Sequence, residues 1–297
     1  MTVRPTDAPR QQLLTEAQIQ HFTEQGYLVV HDFKSAHQID ALVRQIRAIV
    51  DAFEPPAQAA VFSTTDPSWL ADAALLASAD QMYCFFEDEA FDEQGRLRQD
   101  KRQSLNKIGH ALHDRDPVFS AFSRDPRLAQ IAADVGLQQP QLWQSMVIFK
   151  PPSIGGEVRW HQDATFLITE PVSVVAFWFA LEDADRDNGC LWVLPGGHRG
   201  RHGVLRERFE RAAPGSSELK LQRLDSTPWP SEADGAVPVE VRAGALVMFH
   251  GLLPHASAPN RSPRSRLAYT LHVTDGRARW SPLNWLQRGP ALPVRGF

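Results

Sequence analysis

Apolar positions in the first part of the chain recur at helical spacing. Thr15 is placed to cap a short helix that ends at Gly26, and Ser35 a longer one in which Ile39, Leu42, Val43, Ile46, Ile49 and Val50 fall on one face. Between them, Gly26-Tyr-Leu-Val-Val-His-Asp-Phe33 reads as a strand. From Pro55 to Leu137 the pattern predicts weaker helices. There Asp66-Pro67, Asp116-Pro117 and Asp125-Pro126 each set a proline early in a helix behind a capping aspartate. Residues 1–140 are therefore expected to form a mostly helical flank.

The period changes near Leu142. Trp143 to Lys150, Glu157 to Asp163, Val172 to Leu181, Leu191 to Leu194, Val237 to Val241, Ala245 to His250 and Arg266 to Val273 are short runs rich in Val, Ile, Phe, Trp and Tyr. Pro, Gly, Asn and Asp separate them, and strands at such spacing predict a sandwich or jelly roll. The core is expected over 141–281, with an insertion at about 200–235 and a tail over 282–297.

Composition narrows the class. With 297 residues and 43% hydrophobic positions the chain can bury one large core, and a single domain over 1–297 is expected. Lys and Arg number 31 against 35 Asp and Glu, a net charge of −4, so no global field draws nucleic acid or an anionic membrane. The longest uncharged apolar run, Pro171 to Leu181, falls short of the roughly 18 residues of a membrane span. Two cysteines make no disulfide framework, and Met1 to Gln12 lacks an apolar leader, which points to the cytoplasm. Thiolates being scarce, the 11 histidines are the pool for metal chemistry.

Within Arg159-Trp160-His161-Gln162-Asp163, strand alternation sends His161 and Asp163 to one side and Gln162 to the other. A further ligand must come from a distant strand, and His255 in Leu252-Leu-Pro-His-Ala-Ser257 is the candidate. Two histidines and one carboxylate on one face of a metal leave three positions open, as in non-haem iron(II) oxygenases. Arg266 lies in an apolar strand, where a guanidinium needs a carboxylate partner. A dicarboxylate held by metal at one end and by Arg at the other answers that need.

His161-x-Asp163, Asn188-Gly-Cys-Leu-Trp-Val-Leu-Pro-Gly-Gly-His198, His255-x-Ser257 and Arg266-x-Ala-Tyr269 resemble the phytanoyl-CoA dioxygenase family of iron(II)- and 2-oxoglutarate-dependent oxygenases. Phe85-Phe-Glu, Asn106-Lys-Ile-Gly-His-Ala-Leu-His113, Gln144-Ser-Met146, Gly155-Gly-Glu157 and Ser281-Pro-Leu-Asn-Trp-Leu286 extend the likeness over about residues 80–297. The resemblance implies a mainly β double-stranded β-helix with flanking helices. It implies His161, Asp163 and His255 on Fe(II), with Arg266 and Ser257 on the distal carboxylate of 2-oxoglutarate. Lys107, Met146 and Trp178 match positions near that co-substrate, although by composition alone Lys107 also fits a solvated helix and Trp178 a packed core. It further implies O2 as oxidant, ascorbate as the reductant used in vitro, and decarboxylation to succinate and CO2 coupled to hydroxylation or desaturation of a small-molecule or acyl substrate. Halogenating relatives carry a small residue in place of the carboxylate, so Asp163 implies no halogenation.

Other readings compete with this one. A zinc hydrolase on the same triad needs a nearby base and gives Arg266 no duty. A binding module would keep metal and co-substrate without turnover. A base demethylase shares the cofactors but conflicts with the charge. Arg199, Arg206, Arg208 and Arg211 form the one local basic cluster, either a solvated loop or a dock for an anionic handle. His272 shares the face of Arg266 by parity and is a second-sphere candidate, whereas alternation sets His250 away from His255. Trp160, Phe166, Trp192 and Trp285 are either chamber lining or core.

Overall fold

A computed structural model describes residues 12–56, 59–62 and 73–297. Helix α1 (Glu16–Gln25) begins at Thr15 and stops at Gly26, whose φ of 78° only glycine adopts freely. Strand β1 (Tyr27–Val30) leads to α2 (Ala36–Ala52). Thr15 with Gln18, and Ser35 with Gln38, close capping boxes on the two helices. Then come α3 (Ala73–Ala77), β2 (Met82–Phe86), β3 (Leu105–His110), α4 (Leu112–Arg115), α5 (Pro117–Ser123) and α6 (Pro126–Asp134). Asp116 and Asp125 cap α5 and α6 ahead of their prolines, as the sequence predicts. Asp66-Pro67 lies outside the described residues.

The later strands are β4 (Pro140–Lys150), β5 (Val158–His161), β6 (Thr169–Glu170), β7 (Val175–Ala180), β8 (Leu191–Val193), β9 (Glu207–Arg211) and β10 (Leu219–Arg223). They end with β11 (Val237–Val239), β12 (Leu246–His250), β13 (His255–Ser257), β14 (Arg266–Asp275) and β15 (Arg279–Trp280). The seven expected runs are β4, β5, β7, β8, β11, β12 and β14. A seven-stranded antiparallel sheet runs β1-β12-β7-β14-β4-β3-β2, and a four-stranded one runs β11-β8-β13-β5. This is the jelly-roll arrangement expected.

Strand alternation builds two cores from the large sheet. Val175, Phe177 and Phe179 of β7, with Leu267, Tyr269 and Leu271 of β14, pack against Leu42 and Ile46 of α2 and Phe119 and Phe122 of α5. The alternate residues Ala176, Trp178, Ala180 and Ala268 pack against Leu191 and Val193 of β8 and Val239 of β11. Helices therefore cover the outer face and the small sheet covers the inner one. With both faces buried, these strands read as unbroken apolar runs rather than alternating ones.

Two expectations are refined. Helices make up most of the regular structure described before residue 140, but β2 and β3 within it extend the large sheet beyond β4. Met82-Tyr-Cys-Phe-Phe86 is aromatic-rich as strands require, but too short for its period to declare itself. The insertion also holds regular structure, a hairpin of β9 and β10 pairing Glu207 to Arg223 and Arg211 to Leu219. Among the described residues no helix is long and apolar enough to cross a membrane.

One buried ion pair ties the helical layer to the sheet. Lys34, its side chain fully buried, donates to Asp125 Oδ2 at 2.9 Å and to the Phe122 carbonyl at 3.0 Å. Asp125 also caps α6. Asp125→Ala should therefore lower stability by about 3–5 kcal/mol in urea titrations, since it strands a buried ammonium and uncaps a helix. A loss under about 1 kcal/mol, the scale of an ordinary cap alone, would contradict this role for the pair.

Candidate metal centre

Pairing between β5 and β13 sets His161 directly opposite His255. Strand β5 ends at His161, and Asp163 opens a single 3-10 turn, Asp163–Thr165. The convergence of His161 and Asp163 thus comes from a strand end and a turn, not from alternation along one strand. Asp163 Oδ1 lies 3.8 Å from His161 Nε2 and 3.6 Å from His255 Nε2. One ligand atom from each residue falls within 4.8 Å of the others, close enough to share a metal ion.

Both imidazoles are oriented by their own backbones. His161 Nδ1 meets the Arg159 carbonyl at 2.8 Å, and His255 Nδ1 meets that of Leu253 at 2.9 Å. A carbonyl only accepts, so each Nδ1 carries the proton and each Nε2 keeps its lone pair for a metal. Loss of hydration pushes His161 down to about 3, with His255 adding to it and Asp163 opposing. Burial alone would raise the Asp163 carboxyl, but His272, His255 and His161 outweigh it and hold the group well below the usual carboxylate range. His272 Nε2 sits 3.2 Å from Asp163 Oδ2, the second-sphere place its parity suggested.

The inner face of the large sheet continues the site. Thr270 of β14 pairs with Met146 on one side and Trp178 on the other, two steps from His272, which lies opposite Gln144. Lys107 of β3 is opposite Ile148, and Arg266 is opposite Lys150. Lys107 is therefore a buried strand residue, not a solvated helical one. Arg266 is 2% exposed. Its Nε donates to the Gly189 carbonyl at 3.2 Å, its Nη2 reaches Ser257 Oγ at 3.5 Å, and its Nη1 is buried with no hydrogen-bond partner among the described residues. Burial pushes this guanidinium down to about 10. Trp178 stands beneath it, 5.6 Å from ring centroid to Cζ.

Sequence reasoning missed three members of this pocket. Lys150, 1% exposed, donates to the Gly156 and Ala258 carbonyls at 2.5 and 2.7 Å. Desolvation pushes it down to about 7. Its parity with Met146 was the available signal. Glu87, also 1% exposed, acts on Lys107, Lys150 and Arg266 alike. Burial lifts it to about 7, against hydrogen bonds from Asn106 and the Gly156 backbone. Gly189, at φ +87°, accepts from both Ser257 and Arg266, and a Cβ there would stand 2.7 Å from Lys150 Cδ.

The other candidates fall elsewhere. His250 packs against His198 at 5.1 Å, and His113 is bonded to Ser145 and Leu142. The basic cluster does not act as a unit. Arg211 is spent on the Ser216 and Trp285 carbonyls, Arg199 on that of Glu24, and buried Arg206 lies 4.5 Å over Trp229. Trp192 packs against the inner core. Phe166 stands 5.9 Å from the His161 ring, and Trp285 is buried beyond it.

A jelly roll carrying a two-histidine, one-carboxylate face, with a buried guanidinium on the same inner sheet face as His272, defines the class of facial-triad metalloproteins. The phytanoyl-CoA dioxygenase (PhyH) family model matches residues 22–268, and the chain belongs to that family. It is 42% identical to phytanoyl-CoA dioxygenase domain-containing protein 1 of Bos taurus, over 94% of this chain and 97% of the bovine one. It is 41% identical to phytanoyl-CoA dioxygenase 1 of Oryza sativa, over 93% of this chain and 94% of that one. Among solved structures, the non-heme alpha ketoglutarate dependent carbocyclase SnoK from nogalamycin biosynthesis superposes with a TM-score of 0.62 at 17% identity, covering 95% of this chain and 97% of that one. EctD from S. alaskensis with 2-oxoglutarate and 5-hydroxyectoine gives 0.60 at 18%, covering 97% and 86%.

The Glu87 environment sets a pH signature. Its folded value lies above the ordinary one, so its contribution to stability is greatest at low pH and is lost as pH rises from about 4.5 to about 7. Glu87→Gln should flatten the fall in unfolding free energy between those limits by on the order of 2 kcal/mol in the metal-free protein. An unchanged slope would show that Glu87 does not carry the effect.

Proposed function

We propose that residues 1–297 act as one iron(II)- and 2-oxoglutarate-dependent dioxygenase domain. It couples oxidative decarboxylation of 2-oxoglutarate to succinate and CO2 with hydroxylation or desaturation of a small-molecule or acyl substrate. The observation that carries this reading is buried Arg266, with an unpaired Nη1, on the same inner face as His272, which touches the triad. A dicarboxylate spanning from metal to guanidinium answers both groups. The relatives that bind iron and 2-oxoglutarate on this fold support the same assignment.

In this reading His161, Asp163 and His255 hold iron(II), which supplies O2 activation once 2-oxoglutarate is bound. The two imidazoles keep their Nε2 lone pairs inward because their Nδ1 protons are fixed on carbonyls. Arg266 and Ser257 bind the distal carboxylate, and Gly189 orients both. Lys107 lies buried along the way, while Met146 and Trp178 wall the co-substrate and exclude water. Asp163 occupies the position a halide would need, so the chemistry is oxygenation. Both cysteines are free and buried, in keeping with a reducing cytoplasm where iron stays divalent and, in vitro, ascorbate takes that part. A zinc hydrolase would leave Lys107, Lys150 and Arg266 without a task.

Succinate formation from 2-oxoglutarate should require iron(II) and O2 and disappear in His161→Ala. Absence of decarboxylation with every divalent metal would instead favour a binding module. Arg266→Ala should raise the KM for 2-oxoglutarate at least about tenfold, and that for the prime substrate far less. An equal rise in both would remove Arg266 from this role. Chlorinated product from the wild-type enzyme in chloride would sink the claim for Asp163, whereas a chloride-dependent product confined to Asp163→Gly would agree with it.

A further inference from the structure

Gln162 stands between the triad residues His161 and Asp163 in sequence. It is 0% exposed, and its amide makes three hydrogen bonds. Nε2 donates to the Leu252 carbonyl at 2.9 Å and to the Val204 carbonyl at 3.0 Å, and Oε1 accepts from the Arg206 N–H at 3.0 Å. Carbonyls only accept and a backbone N–H only donates, so the amide has one workable orientation and both of its N–H groups are used. One side chain therefore joins three segments that are distant in sequence: the end of β5, the turn between β12 and β13, and the insertion.

Each joined segment bears on the triad. Leu252 precedes Leu253, whose carbonyl orients the His255 ring, and a backbone bond from Ala164 to Gly251 at 2.9 Å runs beside the Gln162 link. Arg206 sits at the base of the β9–β10 hairpin. Its carbonyl accepts from Leu224 at 2.8 Å and from Asp225 at 3.2 Å, so both strands of the hairpin meet at the residue that Gln162 holds. Further along β9, the Phe209 ring lies 5.7 Å from that of Phe166, which stands 5.9 Å from the His161 ring. The far end of β9 is fixed elsewhere, where the Arg211 N–H donates to the Leu283 carbonyl at 2.7 Å.

We propose that Gln162 is a positioning residue that makes the insertion and the three triad residues one unit, so that a metal ion held by the triad also fixes the insertion. The backbone between His161 and Asp163 can shift only if Leu252 and Arg206 shift with it or if the three bonds break. Such coupling is reciprocal: whatever the metal does for the order of the insertion, the insertion does for the affinity of the metal. The inference rests on the reading of the triad as a metal site and is independent of 2-oxoglutarate and of turnover.

Calorimetric titration of manganese(II) into the full chain should show binding weakened at least about tenfold in Gln162→Met, which keeps the shape and removes all three bonds. Amide hydrogen exchange supplies the second readout. Saturating manganese should slow exchange over residues 204–211 at least about fivefold in wild type and leave it unchanged in Gln162→Met. Asp125→Ala, which weakens the helical layer, is the control for general destabilisation and should keep the wild-type manganese affinity. If Gln162→Met does not fold, Gln162→Asn, too short to span its partners, should move both readouts the same way. Equal manganese affinity in wild type and the Gln162 variants, or slowing of hairpin exchange that survives them, overturns the proposal. A wild type that binds no divalent metal contradicts the metal reading. The metal-free chains then decide the role of Gln162: faster exchange over residues 204–211 in Gln162→Met than in Asp125→Ala supports it, and equal rates overturn it.

Discussion

The burial of two lysines and an arginine around Glu87 is the constraint around which the rest of the site is arranged. Lys107, Lys150 and Arg266 are all buried, and Glu87 acts on each of them. An uncompensated charge in low dielectric costs several kcal/mol unless hydrogen bonds or a counter-ion offset it. The chain satisfies Lys150 with main-chain carbonyls and half-satisfies Arg266 with Gly189 and Ser257. What remains is a guanidinium edge without a partner among the described residues, which a carboxylate answers and the apolar core around it does not.

The jelly roll makes this tolerable by splitting its labour between two sheets. The large sheet is buried on both faces, so its register fixes Arg266, Thr270 and His272 at two-residue steps and sets Lys150, Met146 and Gln144 opposite them. The small sheet brings His161 and His255 face to face from distant parts of the chain. Because the sheets share one core through Trp178, Ala268 and Val193, the His161–Asp163–His255 cluster and the buried Arg266 are held in one rigid frame. Helices contribute by covering the outer face, anchored by Lys34 and Asp125.

Much of this was legible in the chain. The helix caps at Thr15, Ser35, Asp116 and Asp125 declare themselves through local chemistry, and the seven β runs through composition. His161, Asp163, His255 and Arg266 are singled out by residue type and by the oddity of a charge in an apolar strand, and Lys107, Met146, Ser257 and Trp178 only by resemblance. Glu87, Lys150 and Gly189 escaped because their meaning is non-local. Glu87 follows a strand hidden in a region read as helix, and Gly189 matters only for which carbonyl it presents. The turn at Asp163 and the bulge at Trp143 are equally silent, since each breaks the alternation from which faces are inferred.

The central claim is that metal and Arg266 hold the two ends of one ligand. It is tested most directly by calorimetric titration of 2-oxoglutarate into the full chain loaded with manganese(II), which binds such sites without turning over. Binding should be saturable and should weaken at least about tenfold when the metal is omitted, and by a similar factor in Arg266→Ala. Binding indifferent to either change would contradict it.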